Sequence, residues 1–110
     1  MSLSKNTISP IDGSVYVQRN YANQEQIDTA LHAAHKAQKD WKSLPLSKRK
    51  ALCSAAVQAF VANKDTIAKE LCWQMGRPIR YAAGEVGSFA ERAEHMITIA
   101  DSALEPVQQE

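Results

Sequence analysis

The chain has few of the features that mark several large classes of protein. Two cysteines among 110 residues make no disulfide framework, so we expect a reducing compartment, the cytoplasm. No stretch approaches the roughly 20 apolar residues of a membrane-spanning helix, and no apolar segment near the N-terminus resembles a signal peptide. The formal net charge of +1 disfavours a strongly basic nucleic-acid binder. These absences predict a soluble, globular piece of protein.

Aromatic residues make up only 6% of the chain, and glycine and proline number four each, a composition that favours helix. Pro10 and Gly13 lie in a predicted turn between two strand-like stretches, 6–9 and 14–18. Residues 1–22 are therefore predicted to be a β-hairpin region. Because an isolated hairpin is marginal in water, this one needs another element to lie against.

The remaining sequence predicts four amphipathic helices. Their limits are about 23–42, 47–62, 64–76 and 79–104, and the tail at 105–110 is expected to fray. Asn23 and Ser47 are candidate N-caps, Asn63 is the predicted joint and cap between the second and third helices, and Gly76 is the predicted left-handed residue that ends the third. The predicted fold class is mostly α with a short N-terminal hairpin. The helices carry apolar stripes, yet the sequence offers no sheet for them to cover.

Two glycines, Gly84 and Gly87, lie inside the fourth predicted helix. Each costs about 1 kcal/mol of helix propensity, so we expect close packing or a bend at this point. They form neither a dinucleotide fingerprint nor a phosphate-binding loop, because no predicted strand precedes them. The flanking residues are helical and acidic, which also disfavours a nucleic-acid clamp.

The candidates for a thiolate nucleophile are Cys53 and Cys72. Neither has a histidine within a helical turn and neither lies at a helix N-terminus, so we interpret both as small buried hydrophobes. His32 and His35 are one turn apart, a spacing that can offer two imidazoles to a metal, but no third ligand is evident. We therefore expect these two histidines to be solvated, and His95, opposite the apolar stripe of its helix, to be exposed.

Other residues with possible chemistry also have ordinary structural interpretations. Glu85, Glu91 and Glu94 are expected on a solvated helix face rather than as paired acid–base carboxylates. Trp41 and Trp73 are expected to anchor packing. The basic cluster at 48–50 opposes the dipole at its helix start, so we expect an acidic group nearby. The residues thus predict no catalytic, cofactor-binding or metal-binding site in this chain.

The order of the elements resembles the N-terminal end of the aldehyde dehydrogenase superfamily. Residues 8–13 resemble the Asn-Pro-x-x-Gly hairpin of many members, and residues 26–41 resemble the first helix, with its paired alanines and final tryptophan. Further likenesses lie at 46–49, 63–70, 74–78 and Glu85-Val86. The resemblance covers residues 7–104, and it implies that the chain is a fragment of the α/β fold of that superfamily, truncated before the catalytic residues.

The resemblance implies NAD(P)-dependent oxidation of an aldehyde to a carboxylic acid by a chain several times longer. It places the catalytic cysteine, general-base glutamate, oxyanion-hole asparagine and nucleotide-contacting lysine downstream, so this chain alone is expected to be inactive. Its helices are expected to pack on the cofactor-binding α/β domain. Some members hold a structural monovalent cation near the residues matching Thr7 or Ile8 and an acidic residue matching Gln74. Glutamine removes that charge here.

Two other hypotheses remain open. The chain can be a free-standing helical interaction or oligomerisation module, or, as the weakest alternative, a nucleic-acid binder through the basic residues at 48–50 and 77–80. If the chain folds alone, stripes meant for an absent domain stay exposed, and we expect homo-oligomerisation through the apolar helix faces. The sequence specifies neither the aldehyde nor the choice between NAD and NADP.

Overall fold

The computed structural model describes residues 3–107. Its elements are β1 (Ser4–Ile8), β2 (Val15–Asn20), α1 (Gln24–Ser43), α2 (Leu46–Ala62), α3 (Lys64–Met75) and α4 (Ile79–Ala103). The predicted class, mostly α with an N-terminal hairpin, is confirmed. Residues 105–107 follow α4 without helix or strand, whereas 1–2 and 108–110, parts of the predicted hairpin region and frayed tail, lie outside the described residues. The division of the chain into these regions stays a prediction.

The hairpin pairs β1 and β2 antiparallel, with a register irregularity between Thr7 and Ile8. Its turn is closed by backbone hydrogen bonds: the Ser9 amide donates to the Ser14 carbonyl at 2.8 Å, and the Gly13 amide donates to the Ser9 carbonyl at 2.9 Å. Asp12 Oδ1 accepts hydrogen bonds from the amide and the hydroxyl of Ser14. Gly13 has a φ of 76°, the left-handed conformation that the predicted turn requires.

The N-terminus of α1 carries a reciprocal cap. Asn23 Oδ1 accepts from the Gln26 amide at 2.8 Å, and Gln26 Oε1 accepts from the Asn23 amide at 2.9 Å. The predicted cap at Asn23 is therefore confirmed. None of the α1 side chains is buried, so this helix leaves its whole apolar stripe, including Leu31, open to solvent.

One predicted cap is wrong and another is confirmed in position alone. The N-cap of α2 is Pro45, without a side-chain hydrogen bond, so Ser47 already lies inside the helix. Proline suits this place because its fixed φ starts a helix at no cost in hydrogen bonding. Asn63 joins α2 to α3 and is the N-cap residue of α3, as predicted, but its side chain makes no capping hydrogen bond, since its Nδ2 donates backward to the Ala59 carbonyl at 2.8 Å.

The small core lies where α4 packs against α2 and α3. Its buried hydrophobic residues are Val57, Ala68, Ala82 and Val86. Phe60 of α2 meets Phe89 of α4 with ring centroids 4.6 Å apart. Alanine and valine thus make up the buried hydrophobic part of this core.

Gly76 ends α3 in the left-handed conformation, with a φ of 74°, as predicted. The hairpin turn lies against this helix end, since a Cβ built on Gly76 would be 2.9 Å from Pro10 Cγ. Close packing and a bend are the alternatives predicted at Gly84 and Gly87; the described chain shows no close packing there, and the bend stays a prediction. A Cβ added at either of these two glycines meets nothing within 4 Å there.

The chain exposes far more surface than a compact protein of its mass. Its accessible area is 9139 Å², whereas a folded monomer of 12.1 kDa exposes about 6000 Å². The radius of gyration is 19.0 Å, compared with about 13 Å for a compact domain of this length. Many large apolar side chains on all four helices are exposed as a result. Within residues 3–107, no helix has the length and apolarity to cross a membrane.

Candidate functional site

The two cysteines lie on different helices, Cys53 on α2 and Cys72 on α3. Cys53 is exposed in the described chain, so the prediction that it is buried is wrong. Cys72, near the end of α3, is half-buried.

The three histidines lie on solvent-facing positions. His32 and His35 are exposed on α1, and His95 is exposed on α4. Within residues 3–107, no group of three or more histidine, cysteine or acidic side chains is arranged to hold a metal ion.

The glutamates of α4 differ in environment. Glu85 forms an ion pair with Arg77 at 2.5 Å, in which both side chains are close to half exposed, and Glu91 is exposed. Glu94 contradicts the prediction of a fully solvated face. Its Oε1 accepts a hydrogen bond from the Ser54 hydroxyl at 3.0 Å, in a partly buried contact between α2 and α4. Glu94 therefore helps to fix the packing of these two helices.

The acidic group expected near the basic cluster at 48–50 is Asp101. Lys50 forms an ion pair with Asp101 across the interface between α2 and α4. This pairing joins the second turn of α2 to the last turn of α4, although the two residues are 51 positions apart in the sequence. The sequence predicts that the partner of this basic cluster is negatively charged, but it does not identify the residue.

A polar cluster missed by the sequence reasoning attaches the hairpin to α3. Tyr16 Oη donates to Glu70 Oε1 at 2.8 Å, and Gln74 Nε2 donates to Glu70 Oε2 at 2.6 Å. The Tyr16 ring also stacks on Trp73, with centroids 6.0 Å apart and an interplanar angle of 10°. Trp73 thus anchors packing, as predicted, although it remains 38% exposed. The side chain of Gln74 is thus engaged with Glu70.

These hydrogen bonds shift two pKa values in opposite directions. The hydrogen bonds from Tyr16 and then Gln74 stabilise the carboxylate and lower the pKa of Glu70. The same carboxylate raises the pKa of Tyr16, because its oxygen accepts a hydrogen bond from the neutral phenol and its negative charge opposes ionisation of the hydroxyl. The cluster therefore holds an ionised glutamate and a neutral tyrosine, an arrangement suited to docking rather than to proton transfer near neutral pH.

An apolar groove of about 230 Å³ lies where the end of α1 meets α2 and α4. Its apolar lining includes Trp41, Leu46, Met96 and Ile97, and its basic lining consists of Arg49 and Lys50. Trp41 is 39% exposed and Met96 57% exposed, so the groove is open to solvent. Trp41 thus lines this groove instead of filling a core.

The described residues do not fit a dinucleotide. Such a site places the pyrophosphate at a glycine-rich turn between a strand and a helix, in a parallel sheet. Here the one sheet in residues 3–107 is the antiparallel pair β1–β2, and Gly84 and Gly87 lie within α4. The geometry supplies helical surface and an attached hairpin.

Comparison with known protein families shows which proteins this chain is related to. The family model described as "Aldehyde dehydrogenase family" matches residues 2–109. The chain belongs to the aldehyde dehydrogenase family. This result confirms the resemblance carried by the hairpin, the helix order and the glycine at the end of α3.

Curated aldehyde dehydrogenases of several organisms are similar to this chain. A long-chain-aldehyde dehydrogenase of an Acinetobacter species is 38% identical over 74 residues, which are 66% of this chain and 14% of the relative. A putative aldehyde dehydrogenase-like protein of Schizosaccharomyces pombe is 28% identical over 96% of this chain and 20% of its own length. An N-succinylglutamate 5-semialdehyde dehydrogenase of Legionella pneumophila is 29% identical over 73% of this chain and 16% of its own length. The chain thus spans between about a seventh and a fifth of these aldehyde dehydrogenases.

Proposed function

We propose that this chain is the N-terminal part of a cytoplasmic, NAD(P)-dependent aldehyde dehydrogenase that oxidises an aldehyde to a carboxylic acid. Within that enzyme its role is to cover and support the rest of the polypeptide, and it contributes no catalytic, cofactor-binding or metal-binding residue. The observation that carries this proposal is the family match over residues 2–109 on a chain whose apolar helix faces lie largely uncovered.

The uncovered surface supports the covering role quantitatively. The accessible area exceeds that of a compact monomer by about 3000 Å², which is several times the roughly 800 Å² that each partner buries in a standard protein interface. Since α1 buries none of its side chains, its amphipathic pattern has no use within the described chain. A larger body of protein, lying against several helices at once, accounts for this surface.

The substrate is proposed only as a class. The Acinetobacter relative is named for long-chain aldehydes and the Legionella relative for a succinylated semialdehyde, so their names differ in the size and polarity of the substrate. The helices described here supply no pocket that selects between such aldehydes.

The direct test is an activity and binding assay on the purified 110-residue chain. We expect no formation of NADH or NADPH with short-chain or long-chain aldehydes, and no saturable binding of either nucleotide by calorimetry. Aldehyde-dependent reduction of NAD by the chain alone would show that it carries its own catalytic site and would overturn the covering role.

A second candidate function is a free-standing oligomerisation module, favoured by the same exposed faces. It predicts a discrete, saturable homo-oligomer in sedimentation velocity with a radius of gyration per chain close to that of a folded protein. The covering role predicts instead a distribution of associated species, because the faces match a different surface.

A further inference from the structure

The turn of the hairpin contains an aspartate followed directly by a glycine, Asp12-Gly13, and both residues are exposed. An aspartate in this context can isomerise. The glycine backbone nitrogen attacks the carbon of the neutral side-chain carboxyl, a C–N bond forms, and the carboxyl hydroxyl leaves with the amide proton as water. Glycine favours this cyclisation because it has no Cβ to shield its nitrogen, and a Cβ added at Gly13 would meet nothing within 4 Å.

The product of the cyclisation is a succinimide ring, which water opens again at either of its two carbonyl groups. Opening at one carbonyl restores aspartate. Opening at the other gives isoaspartate, in which the main chain runs through the former side-chain carbons. The exposed turn therefore has both the sequence and the access to water that this modification needs.

Three hydrogen bonds in the folded turn oppose the cyclisation. The Gly13 amide donates to the Ser9 carbonyl at 2.9 Å, so the nitrogen that must attack has its proton engaged. Asp12 Oδ1 accepts from the Ser14 amide at 3.0 Å and from the Ser14 hydroxyl at 2.7 Å, and these contacts hold the carboxylate in place. The hydroxyl contact and then the amide contact also lower the pKa of Asp12, so the neutral carboxyl from which water can leave is scarce.

We propose that Asp12 is a site of isomerisation to isoaspartate, which the folded turn holds unreacted and which becomes reactive when the hairpin opens. Ser14 is the protecting residue, because it donates both hydrogen bonds that hold the carboxylate. A two-stranded hairpin is marginal alone, so local opening of this element exposes the site more often than global unfolding does. The proposal concerns the turn itself and is independent of the proposed function.

Isomerisation would weaken the attachment of the hairpin to α3. Isoaspartate adds one methylene group to the main chain of the turn and moves the free carboxylate away from the Ser14 amide. Pro10, in the same turn, lies against Gly76 at the end of α3. The modification therefore loosens this contact, and with it the stacking of Tyr16 on Trp73.

The test follows isoaspartate formation in the purified 110-residue chain, in native buffer and in denaturing urea at the same pH and temperature. Trypsin releases residues 6–19 as one peptide, and chromatography with electron-transfer fragmentation distinguishes its isoaspartyl form from the aspartyl form of equal mass. Ser14→Ala removes the hydroxyl and keeps the amide. Ser4→Ala is the matched control, since it removes a serine hydroxyl that contacts Gln18 elsewhere in the hairpin.

We expect isomerisation of the unsubstituted chain to be several-fold faster in urea than in native buffer. Ser14→Ala should raise the native rate several-fold and leave the rate in urea unchanged, whereas Ser4→Ala should change neither. The indole chemical shifts of Trp73 report whether the hairpin stays attached. If Ser14→Ala detaches it, the native rate of this variant should equal its rate in urea, as expected for a reaction that opening releases.

Three results would overturn the proposal. Equal rates in native buffer and in urea would show that the folded turn gives no protection. Absence of isoaspartate in urea would show that Asp12 is not reactive. A native rate of Ser14→Ala equal to that of the unsubstituted chain would show that the Ser14 hydroxyl does not protect the carboxylate.

Discussion

At the scale of single residues, the attachment of the hairpin to α3 depends on Tyr16 and Glu70. The Glu70 pKa is lowered in the folded chain, so its contribution to stability is present above the ordinary glutamate pKa of 4.5 and is lost as the pH falls through the lowered value. The Tyr16 pKa is raised, so its contribution is present below 10.0 and is lost as the pH rises through the raised value. The hairpin should thus be docked most firmly between these limits.

Tyr16→Phe tests this dependence because it removes the hydroxyl and keeps the ring that stacks on Trp73. We expect the acidic transition of Glu70, followed by the indole chemical shifts of Trp73, to move to higher pH, because the hydrogen bond that lowers the Glu70 pKa most is removed. Tyr21→Phe, at a tyrosine that is 58% exposed, is the control and should leave the transition in place. An acidic transition that stays at the same pH in Tyr16→Phe would contradict the hydrogen bond as the cause of the lowered Glu70 pKa.

Two glycine-to-alanine substitutions should change the free energy of unfolding in opposite directions. Gly76→Ala forces a side chain into the left-handed conformation and against Pro10, so it should destabilise the chain by about 1–2 kcal/mol or more. Gly84→Ala lies inside α4 with open space at its Cβ, so it should stabilise the isolated chain by about 0.5–1 kcal/mol. Chemical denaturation followed by circular dichroism gives both values. A stabilising Gly76→Ala would contradict the contact between the turn and the end of α3.

The sequence predicts the glycine at the end of α3 because the requirement for a positive φ is local. It does not predict that Tyr16 meets Glu70, since the two are 54 positions apart and each is an ordinary residue in its own element. The same limit holds for Arg49, because only the packing of the helices shows that its Nε is buried without a hydrogen-bond partner among the described residues.

At the scale of the element, α1 should behave as a nearly independent helix. Its side chains are unburied, so its stability depends on local terms such as the cap at Asn23 rather than on tertiary packing. Asn23→Ala should cost about 1 kcal/mol of helix stability. Hydrogen exchange should show this loss in the amides of α1 alone.

The control for this experiment is Lys36→Arg, at an exposed α1 position remote from the cap, because lysine and arginine have nearly equal helix propensities. It should leave exchange in the first turn unchanged. If Asn23→Ala instead accelerated exchange equally in α2 and α4, α1 would be part of the cooperative core and the description of an uncovered helix would be wrong.

The helix limits are predictable because periodicity and helix-ending residues are local signals. Every predicted limit lies within about one residue of the observed one, a margin at which assignments of helix ends ordinarily differ. The caps at Ser47 and Asn63 are harder to predict because several nearby residues can serve. Pro45 is the N-cap of α2, so the helix begins before Ser47. The side-chain Nδ2 of Asn63 donates to the Ala59 carbonyl.

At the scale of the whole molecule, the excess exposed area should make the isolated chain self-associate. Leu31→Lys places a charge on the apolar stripe of α1, where the leucine is 63% exposed, and should reduce the associated fraction in sedimentation velocity. Thr29→Lys adds the same charge on the opposite side of the helix and should have little effect. A monodisperse monomer at high concentration would contradict the claim that these faces require a cover.

The sequence predicts the missing cover in general terms, since it has apolar stripes and no sheet for them to lie on. The extent of the exposed surface follows only from the arrangement of the helices, in which α4 packs on α2 and α3 while α1 extends away from them. Whether an apolar helix stripe stays exposed is hard to predict from sequence. The stripe has the same spacing of apolar residues whether it packs on its own chain or on another part of a larger protein.

The measurement that tests the central claim most directly is the rate of aldehyde-dependent cofactor reduction by a chimera in which this chain replaces the matching segment of the Acinetobacter long-chain-aldehyde dehydrogenase. The covering role predicts that the chimera forms NADH or NADPH from a long-chain aldehyde, whereas the isolated chain forms none. A chimera that folds and binds the cofactor but oxidises no aldehyde, or an isolated chain that does so, would contradict it.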